Sequence, residues 1–315
     1  MALDTRTPPP PIPDTPIHVV EILTECRDVE PLGELLATLD LPPQALSSYE
    51  DLEKRQGVTF VLCDTPAEQA AAKAQVESLL AQWGDQFLAH PVREIRERLI
   101  QREDWSESWK KYFHPFRASR RLVIKPSWEE CEASPEDVLL EIDPGMSFGT
   151  GSHGTTRGCL EFLDDLADDS NPQRPRTLVD AGCGTGILTM AARRLGYGPV
   201  FAFDYDPQAI LVAQENFRRD GIGEPEVLLR QADVHEVQVP FQADLVLANI
   251  LAPILLEARE NLLSMVRPGG LLVLSGILTS QYPHLREAFL PTGLQELETR
   301  TLAEWTSGLF RKPEA

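Results

Sequence analysis

Hydrophobic positions in the N-terminal third of the chain alternate between strand-like and helix-like spacing. Five segments follow one another: a buried strand beginning at Ile17 (IHVVEIL), helically spaced leucines over 32–39, a strand over 57–64 (GVTFVLCD), an amphipathic helix over 72–80 and an exposed edge strand over 92–99 (VREIRERL). This order predicts a small ferredoxin-like α+β domain over residues 16–100. The domain carries no chemical motif, so we expect it to recognise the substrate or, alternatively, only to stabilise the larger C-terminal domain.

The C-terminal half repeats a different unit, in which a short apolar run is followed by a helical pattern. The apolar runs lie in RTLVDAGCGTG (176–186), PVFAFDYDP, ADLVLANIL and GGLLVLSGIL. Strands that alternate with helices predict a doubly wound parallel sheet, a Rossmann-like α/β fold, within a domain over residues 143–315. Such sheets bind ligands beyond the carboxyl ends of their strands.

Two further segments are read as connections. The first fifteen residues contain TPPPPIPDTP, whose prolines predict a disordered tail or, as the alternative, a docking site for a proline-binding partner. Residues 101–142 are expected to hold the linker and the start of the catalytic domain. Within them Trp105, Trp109 and Phe113 share one face of a predicted interdomain helix. The same aromatic residues could instead line a substrate path.

The glycines after the first strand of the C-terminal half, Gly182, Gly184 and Gly186, indicate a tight turn that brings bare backbone against a ligand. A dinucleotide fold would place its third glycine at position 187, where this chain has Ile187. The pattern D-x-G-x-G-x-G is instead typical of proteins that bind adenosine-type methyl donors.

Two aspartates at the end of the next strand are expected to divide two roles. Asp204 lies 22 residues after Gly182, where a carboxylate can accept both ribose hydroxyls of an adenosine ligand. Asp206 stands directly before Pro207 and has the features of a helix N-cap. We therefore predict that Asp204 binds ribose and that Asp206 caps the helix.

The segment NILAP follows the third strand of the C-terminal half. Methyltransferases that act on exocyclic base amines often place an aromatic ring here, which stacks on a flipped base. This chain has no aromatic residue at that point, so a base pocket is disfavoured. Asn249 still offers an amide oxygen and a carbonyl close to the predicted ligand. The alternative role for Asn249 is a polar strand end that caps the following helix.

Charge and cysteine usage limit the partners. The chain has 49 acidic and 29 basic residues and a net charge of −20, which disfavours a nucleic-acid substrate and favours a basic one. Its five cysteines show neither paired metal spacing nor disulfide density, which fits a reducing cytoplasm. No apolar run approaches the roughly 18 residues that would cross a bilayer, so no membrane association is expected.

Several separate blocks together resemble one family. DPGMSFGTGSHGTT (143–156), DAGCGTGIL, FDYDPQAI, ANILA, and LSGIL with Gln281 resemble the PrmA family, the methyltransferases of large-subunit ribosomal protein eleven. The resemblance covers about 92–312, whereas 16–91 agree only in predicted element order. In the loop the family usually reads G-T-G-T-H-P-T-T, and this chain has Ser152 and Gly154 at the divergent positions.

The resemblance implies a class I methyltransferase fold, S-adenosylmethionine as cofactor, and a glycine-rich loop that closes over it. It implies that Thr156, Gly182, Asp204 and Asn249 bind this cofactor; Gly184 and Gly186 are added on the backbone argument. His153 is expected to fix the loop rather than to transfer a proton.

The resemblance also implies methylation of an N-terminal α-amine and of lysines on a basic ribosomal protein. We name no general base, because binding beside a sulfonium in a dry pocket disfavours the ammonium form and so lowers the cost of freeing the amine. Three alternatives remain: a lysine methyltransferase of the same type for another protein, a nucleic-acid methyltransferase, and a non-enzymatic cofactor sensor.

Overall fold

A computed structural model describes residues 16–36, 38–39, 46–51, 56–100, 114–143, 151, 153–168 and 174–314. The chain divides into two compact units between Phe113 and His114. The proline-rich tail, the aromatic linker segment and most of the glycine-rich loop lie outside the described residues. The predictions made for those segments, and the roles predicted for the domains, therefore stay predictions.

The first unit has the ferredoxin-like arrangement. Its elements are β1 (Ile17–Thr24), α1 (Val29–Leu36), β2 (Leu46–Asp51), β3 (Gln56–Cys63), α2 (Pro66–Phe87) and β4 (Glu94–Ile100). The strands pair antiparallel in the order β2-β3-β1-β4. The predicted element order is confirmed except for β2, which the sequence analysis missed because LSSYED lacks an alternating apolar pattern.

Both helices of the first unit pack on one face of its sheet. Val20 and Val61 point from the strands toward Leu32 of α1 and Val76 of α2, and all four are fully buried. The helix α2 begins at a polar cap, since Thr65 accepts a hydrogen bond from the backbone N–H three residues later. Strand β4 lies at the edge of the sheet, as predicted, and its residues are mostly exposed.

The second unit contains a three-stranded sheet and a larger mixed sheet. Its elements are β5 (Phe116–Arg117), β6 (Leu122–Lys125), β7 (Val138–Glu141), α3 (Gly154–Leu166), β8 (Leu178–Ala181), α4 (Ile187–Arg194), β9 (Val200–Asp204), α5 (Pro207–Arg219), β10 (Val227–Gln231), β11 (Ala243–Asn249), α6 (Ala252–Glu257), α7 (Arg259–Met265), β12 (Val266–Leu278), α8 (Tyr282–Phe289), β13 (Gln295–Leu302) and β14 (Trp305–Arg311). Strands β5, β6 and β7 form the smaller sheet.

Among the described residues, seven strands form the larger sheet in the order β10-β9-β8-β11-β12-β14-β13. The first five are parallel, and β14 is antiparallel to both of its neighbours. The four predicted strands are confirmed as β8, β9, β11 and β12. The predicted doubly wound parallel sheet is confirmed over its first five strands, although β10 itself was not predicted. The antiparallel hairpin of β13 and β14 was also missed and makes the sheet mixed.

Helices cover both faces of the larger sheet, which confirms the doubly wound architecture. Alternate residues of one strand point to opposite faces, so Leu245 and Leu247 face α3, α4 and α5, whereas Val246 and Ala248 face α6, α7 and α8. All four side chains are fully buried. The carboxyl ends of the parallel strands lie side by side along one edge of the sheet. The predicted site residues lie at this carboxyl edge.

Candidate active site

The turn between β8 and α4 requires its glycines. Gly182, Gly184 and Gly186 have φ values of 71°, 54° and 80°, in the left-handed region that other residues avoid. A Cβ atom on Gly186 would also stand 2.5 Å from Cε1 of the Phe217 ring. The turn therefore presents bare backbone at the carboxyl end of β8, as the sequence analysis expected.

The carboxylate of Asp204 holds this turn from the neighbouring strand. Its Oδ2 accepts the backbone N–H of Gly184 at 2.8 Å, and its Oδ1 accepts that of Asp206 at 3.0 Å. Asp206 in turn accepts the N–H of Gln208 at 2.8 Å and is the N-cap of α5, which confirms the predicted cap. Two of the predicted cofactor residues, Gly184 and Asp204, are thus in direct contact.

Asp180, the first residue of the D-x-G-x-G-x-G pattern, has an unusual environment. Its side chain is fully buried, and Oδ2 accepts a hydrogen bond from the Thr189 hydroxyl at 2.7 Å. Its Oδ1 is buried with no hydrogen-bond partner among the described residues. Burial raises the pKa of Asp180 to about 7, and the nearby charge of Asp204 adds to the rise. The sequence analysis assigned no role to this residue, although the pattern contained it.

Helix α3 begins beside the site, and His153 is its N-cap. The imidazole Nδ1 accepts the backbone N–H of Thr155 at 3.3 Å and lies 2.7 Å from the Thr155 hydroxyl. The ring packs against Trp305 with centroids 4.9 Å apart. Burial lowers the pKa of His153 to about 4, so the ring is neutral at physiological pH. These contacts favour the predicted loop-fixing role over proton transfer.

The structure brings Asn249 and Thr156 together from positions 93 residues apart. The Asn249 side-chain N–H donates to Oγ1 of Thr156 at 3.3 Å. The other end of the amide, Oδ1, is buried and has no hydrogen-bond partner among the described residues. Leu251 is the N-cap of α6, and no side chain in the described part of the chain caps that helix. The alternative role of Asn249 as a helix cap is therefore wrong.

Ile250 connects these two parts of the site. A Cβ atom on Gly182 would stand 2.9 Å from Cγ1 of Ile250, the residue that follows Asn249. The glycine turn and the Asn249–Thr156 pair thus lie side by side at the carboxyl ends of β8 and β11, which are adjacent strands. The described residues contain no group of three His, Cys, Asp or Glu side chains that could hold a metal ion.

This strand order, with a glycine turn after β8 and an acid at the end of β9, defines the second unit as a class I S-adenosylmethionine-dependent methyltransferase. A family model described as ribosomal protein L11 methyltransferase (PrmA) matches residues 37–313. The chain therefore belongs to the PrmA family, and its methyl donor is S-adenosylmethionine.

Named relatives extend this match. The ribosomal protein L11 methyltransferase of Pelobacter propionicus is 40% identical over 307 residues, which cover 95% of this chain and 96% of the relative. That of Citrifermentans bemidjiense is 37% identical over 89% of this chain and 90% of the relative. The similarity thus reaches well beyond residues 92–312, to which the sequence analysis had limited it.

A solved structure is also similar. The crystal structure of ribosomal protein L11 methylase from Lactobacillus delbrueckii subsp. bulgaricus matches with a TM-score of 0.55 and 32% identity. The match covers 64% of this chain and all of that chain.

Proposed function

We propose that this enzyme transfers methyl groups from S-adenosylmethionine to amino groups of ribosomal protein L11, on an N-terminal α-amine and on lysines. The observation that carries the proposal is the unpartnered Oδ1 of Asn249, a buried acceptor beside the predicted cofactor contact Thr156. Most buried polar atoms have a hydrogen-bond partner, so an unpartnered acceptor beside the predicted site residues supports a polar ligand there. The curated relatives named for L11 methylation support the choice of substrate.

The residues at this edge suit the parts of the cofactor. Each Asp204 oxygen accepts one backbone N–H and retains a second lone pair for a ribose hydroxyl. The backbone of Gly182, Gly184 and Gly186 offers a close approach without Cβ atoms. The bare oxygen of Asp180 can accept a hydrogen bond from a cationic group, which would favour its ionised form.

S-adenosylmethionine supplies a methyl group on a sulfonium, and this chain must present an amine in line with it. At pH 7, freeing the lone pair of a lysine costs about 4.6 kcal/mol, whereas an α-amine costs about 1 kcal/mol. The Asn249 Oδ1 can accept one amine N–H and so aim the lone pair away from itself. His153 is a poor base because its pKa is about 4 and its Nδ1 accepts from Thr155. Alignment and desolvation therefore carry the catalysis.

Two features support a basic protein substrate in the cytoplasm, which we include in the proposal. The net charge of −20 attracts a basic partner. None of the five cysteines forms a disulfide among the described residues, as expected in a reducing compartment. Among the described residues, none of the helices has the length and apolar character needed to cross a bilayer.

The experiment uses the purified full chain, methyl-labelled S-adenosylmethionine and whole ribosomes, which supply both proteins and RNA, from a strain that lacks this enzyme. We expect label in L11, with mass spectrometry locating it on the N-terminus and on lysines. Label confined to another protein would favour the rival methyltransferase of the same type, and label in RNA would overturn the choice of a protein substrate.

We further propose that the first unit selects the substrate. A chain that begins near residue 102 retains the whole second unit, which has its own core. It should bind S-adenosylmethionine like the full chain but fail to methylate intact L11. Methylation at the full rate would assign recognition to the second unit instead.

A further inference from the structure

The hydroxyl of Ser275 contacts the backbone that carries Thr156. Ser275 lies near the end of β12, is fully buried, and has its Oγ 3.0 Å from the carbonyl oxygen of Thr155 and 2.7 Å from Oγ of Ser307. A carbonyl can only accept, so Ser275 donates its single proton to Thr155, and Ser307 donates to Ser275. The hydrogen bonds therefore run from β14 through β12 to the start of α3.

The same residue also holds the segment that carries Asn249. Ser275 is the register partner of Asn249 across the parallel strands, and its carbonyl accepts the N–H of Ile250 at 3.1 Å. The next residue, Gly276, has φ of 83°, and a Cβ there would stand 2.4 Å from the Ile250 carbonyl oxygen. The two strands are therefore packed backbone to backbone at this point.

Ser275 thus forms hydrogen bonds to the sequence neighbours of both members of the Asn249–Thr156 pair. Its side chain fixes the backbone of Thr155, and its carbonyl fixes the residue after Asn249. Among the described residues, one side-chain hydrogen bond orients the Asn249 amide, 3.3 Å from Nδ2 to Thr156 Oγ1, and it spans the two segments held in this way. A shift of either segment would turn the amide and move its bare Oδ1.

We infer that Ser275 is a positioning residue for methyl transfer, which acts through Thr155 and Thr156 to aim the Asn249 amide oxygen at the incoming amine. The inference rests on the proposed function of Asn249. Ser275 itself is buried behind the site and touches neither substrate nor cofactor in this role.

The kinetic test is a double-mutant cycle in the full chain. Ser275→Ala should lower kcat about tenfold, because small misplacements of an orienting group are costly. In an Asn249→Ala background the same change should lower kcat by less than about twofold, since the group it positions is already gone. Equal losses in both backgrounds would overturn the inference.

A matched control is Thr306→Val, which removes a buried hydroxyl from the same strand as Ser307. Thr306 bonds the hydroxyls of Thr279 and Thr301 at 2.9 and 3.0 Å, away from the Asn249–Thr156 pair. The Thr306→Val variant should lower thermal stability about as much as Ser275→Ala but leave kcat within about twofold of the wild-type value. Ser275→Cys keeps a weaker donor and should fall between wild type and alanine, and it carries the test if the alanine variant does not fold.

A second readout does not depend on the protein substrate. In the complex with S-adenosylhomocysteine, the side-chain amide NMR signals of Asn249 are identified by their absence from the Asn249→Ala spectrum. They should shift in Ser275→Ala or Ser275→Cys and stay in place in Thr306→Val. Failure of the wild-type enzyme to methylate L11 would refute the proposed function alone, whereas unshifted Asn249 signals would refute the role of Ser275.

Discussion

Asp164 and Asp180 are two fully buried carboxylates of the second unit, and they differ in how many hydrogen-bond donors surround them. Asp164 accepts the Ser119 hydroxyl at 2.7 Å and the backbone and side-chain N–H groups of Arg121 at 2.8 and 2.5 Å. Burial alone would raise the pKa of Asp164, but these hydrogen bonds outweigh it and lower the pKa. Asp180 has the hydroxyl of Thr189 and a bare oxygen, and its pKa rises to about 7.

The difference separates a carboxylate whose two oxygens both accept hydrogen bonds from one that keeps an unpartnered oxygen beside the proposed cofactor site. Asp164 joins α3 to the turn before β6 with every donor in place, so it contributes to the fold. Asp180 and the Asn249 amide each leave an acceptor unused at the edge where the glycine turn lies. An unfilled buried acceptor costs stability, and a bound cofactor can recover that loss.

Asp164→Asn should give the largest loss of stability. It removes the charge that pairs with Arg121, whose side chain is 23% exposed, so we expect a loss of about 3 kcal/mol, at the low end for a broken buried pair. Urea unfolding measures this loss in the free energy of unfolding. Cofactor affinity should hardly change in the folded fraction, and a loss below about 1 kcal/mol would show that this network is not structural.

Asp180→Asn should weaken cofactor binding without lowering stability, the reverse of Asp164→Asn. The variant keeps an acceptor for Thr189 and removes a charge that burial disfavours, so its stability should be at least that of wild type at pH 7. Its free energy of binding to S-adenosylmethionine should weaken by about 2 kcal/mol, because the cofactor loses a hydrogen bond to the charged Asp180 carboxylate. Calorimetry measures the affinity, and an unchanged value would remove Asp180 from the site.

The pH dependence of Asp180 sharpens the contrast. Its folded pKa of about 7 lies above the unfolded value near 3.9, so the folded state binds more protons between these limits. The wild-type free energy of unfolding should therefore fall, relative to that of Asp180→Asn, as the pH rises from about 4 to about 7. Asp164, with a lowered pKa, contributes in the opposite sense: its stabilisation is lost as the pH falls through its folded pKa.

The smallest effect is expected at His153. His153→Asn retains a side-chain acceptor for the N-cap of α3, so stability at pH 7 should change by less than about 1 kcal/mol. Wild type should lose stability relative to this variant as the pH falls from about 6.5 toward 4, because the folded imidazole resists protonation. Parallel pH profiles of the two proteins would contradict the buried neutral ring.

Strands with a clear apolar run or an alternating pattern, including the edge strand β4, were predictable from the sequence, and most strands without such a pattern were missed. Strands β8, β9, β11 and β12 each contain an apolar run because helices cover both faces of the sheet there. Strand β13, QELETRTL, lies at the edge of the sheet and is mostly exposed, so its polar sequence carries no strand signal. The same reason explains why β2 was missed.

The site was predictable where function depends on local spacing. The glycine turn, the place of Asp204 at a strand end and the Asp206 cap follow from residues close to strand ends, whereas ribose binding by Asp204 stays a prediction. The contact between Thr156 and Asn249 joins residues 93 positions apart, and the bare oxygen of Asp180 depends on which donors surround it. Neither can be derived from one sequence, because packing decides both.

The central claim, that this edge binds S-adenosylmethionine, is tested most directly by calorimetric titration of the cofactor into wild type, Asp204→Ala and Asp206→Ala. We predict that Asp204→Ala binds S-adenosylmethionine about 2 kcal/mol more weakly, roughly thirtyfold, because the ribose hydroxyls lose a charged acceptor. Asp206→Ala loses a helix cap worth about 1 kcal/mol of stability but should keep wild-type affinity. Wild-type affinity in Asp204→Ala would contradict the account.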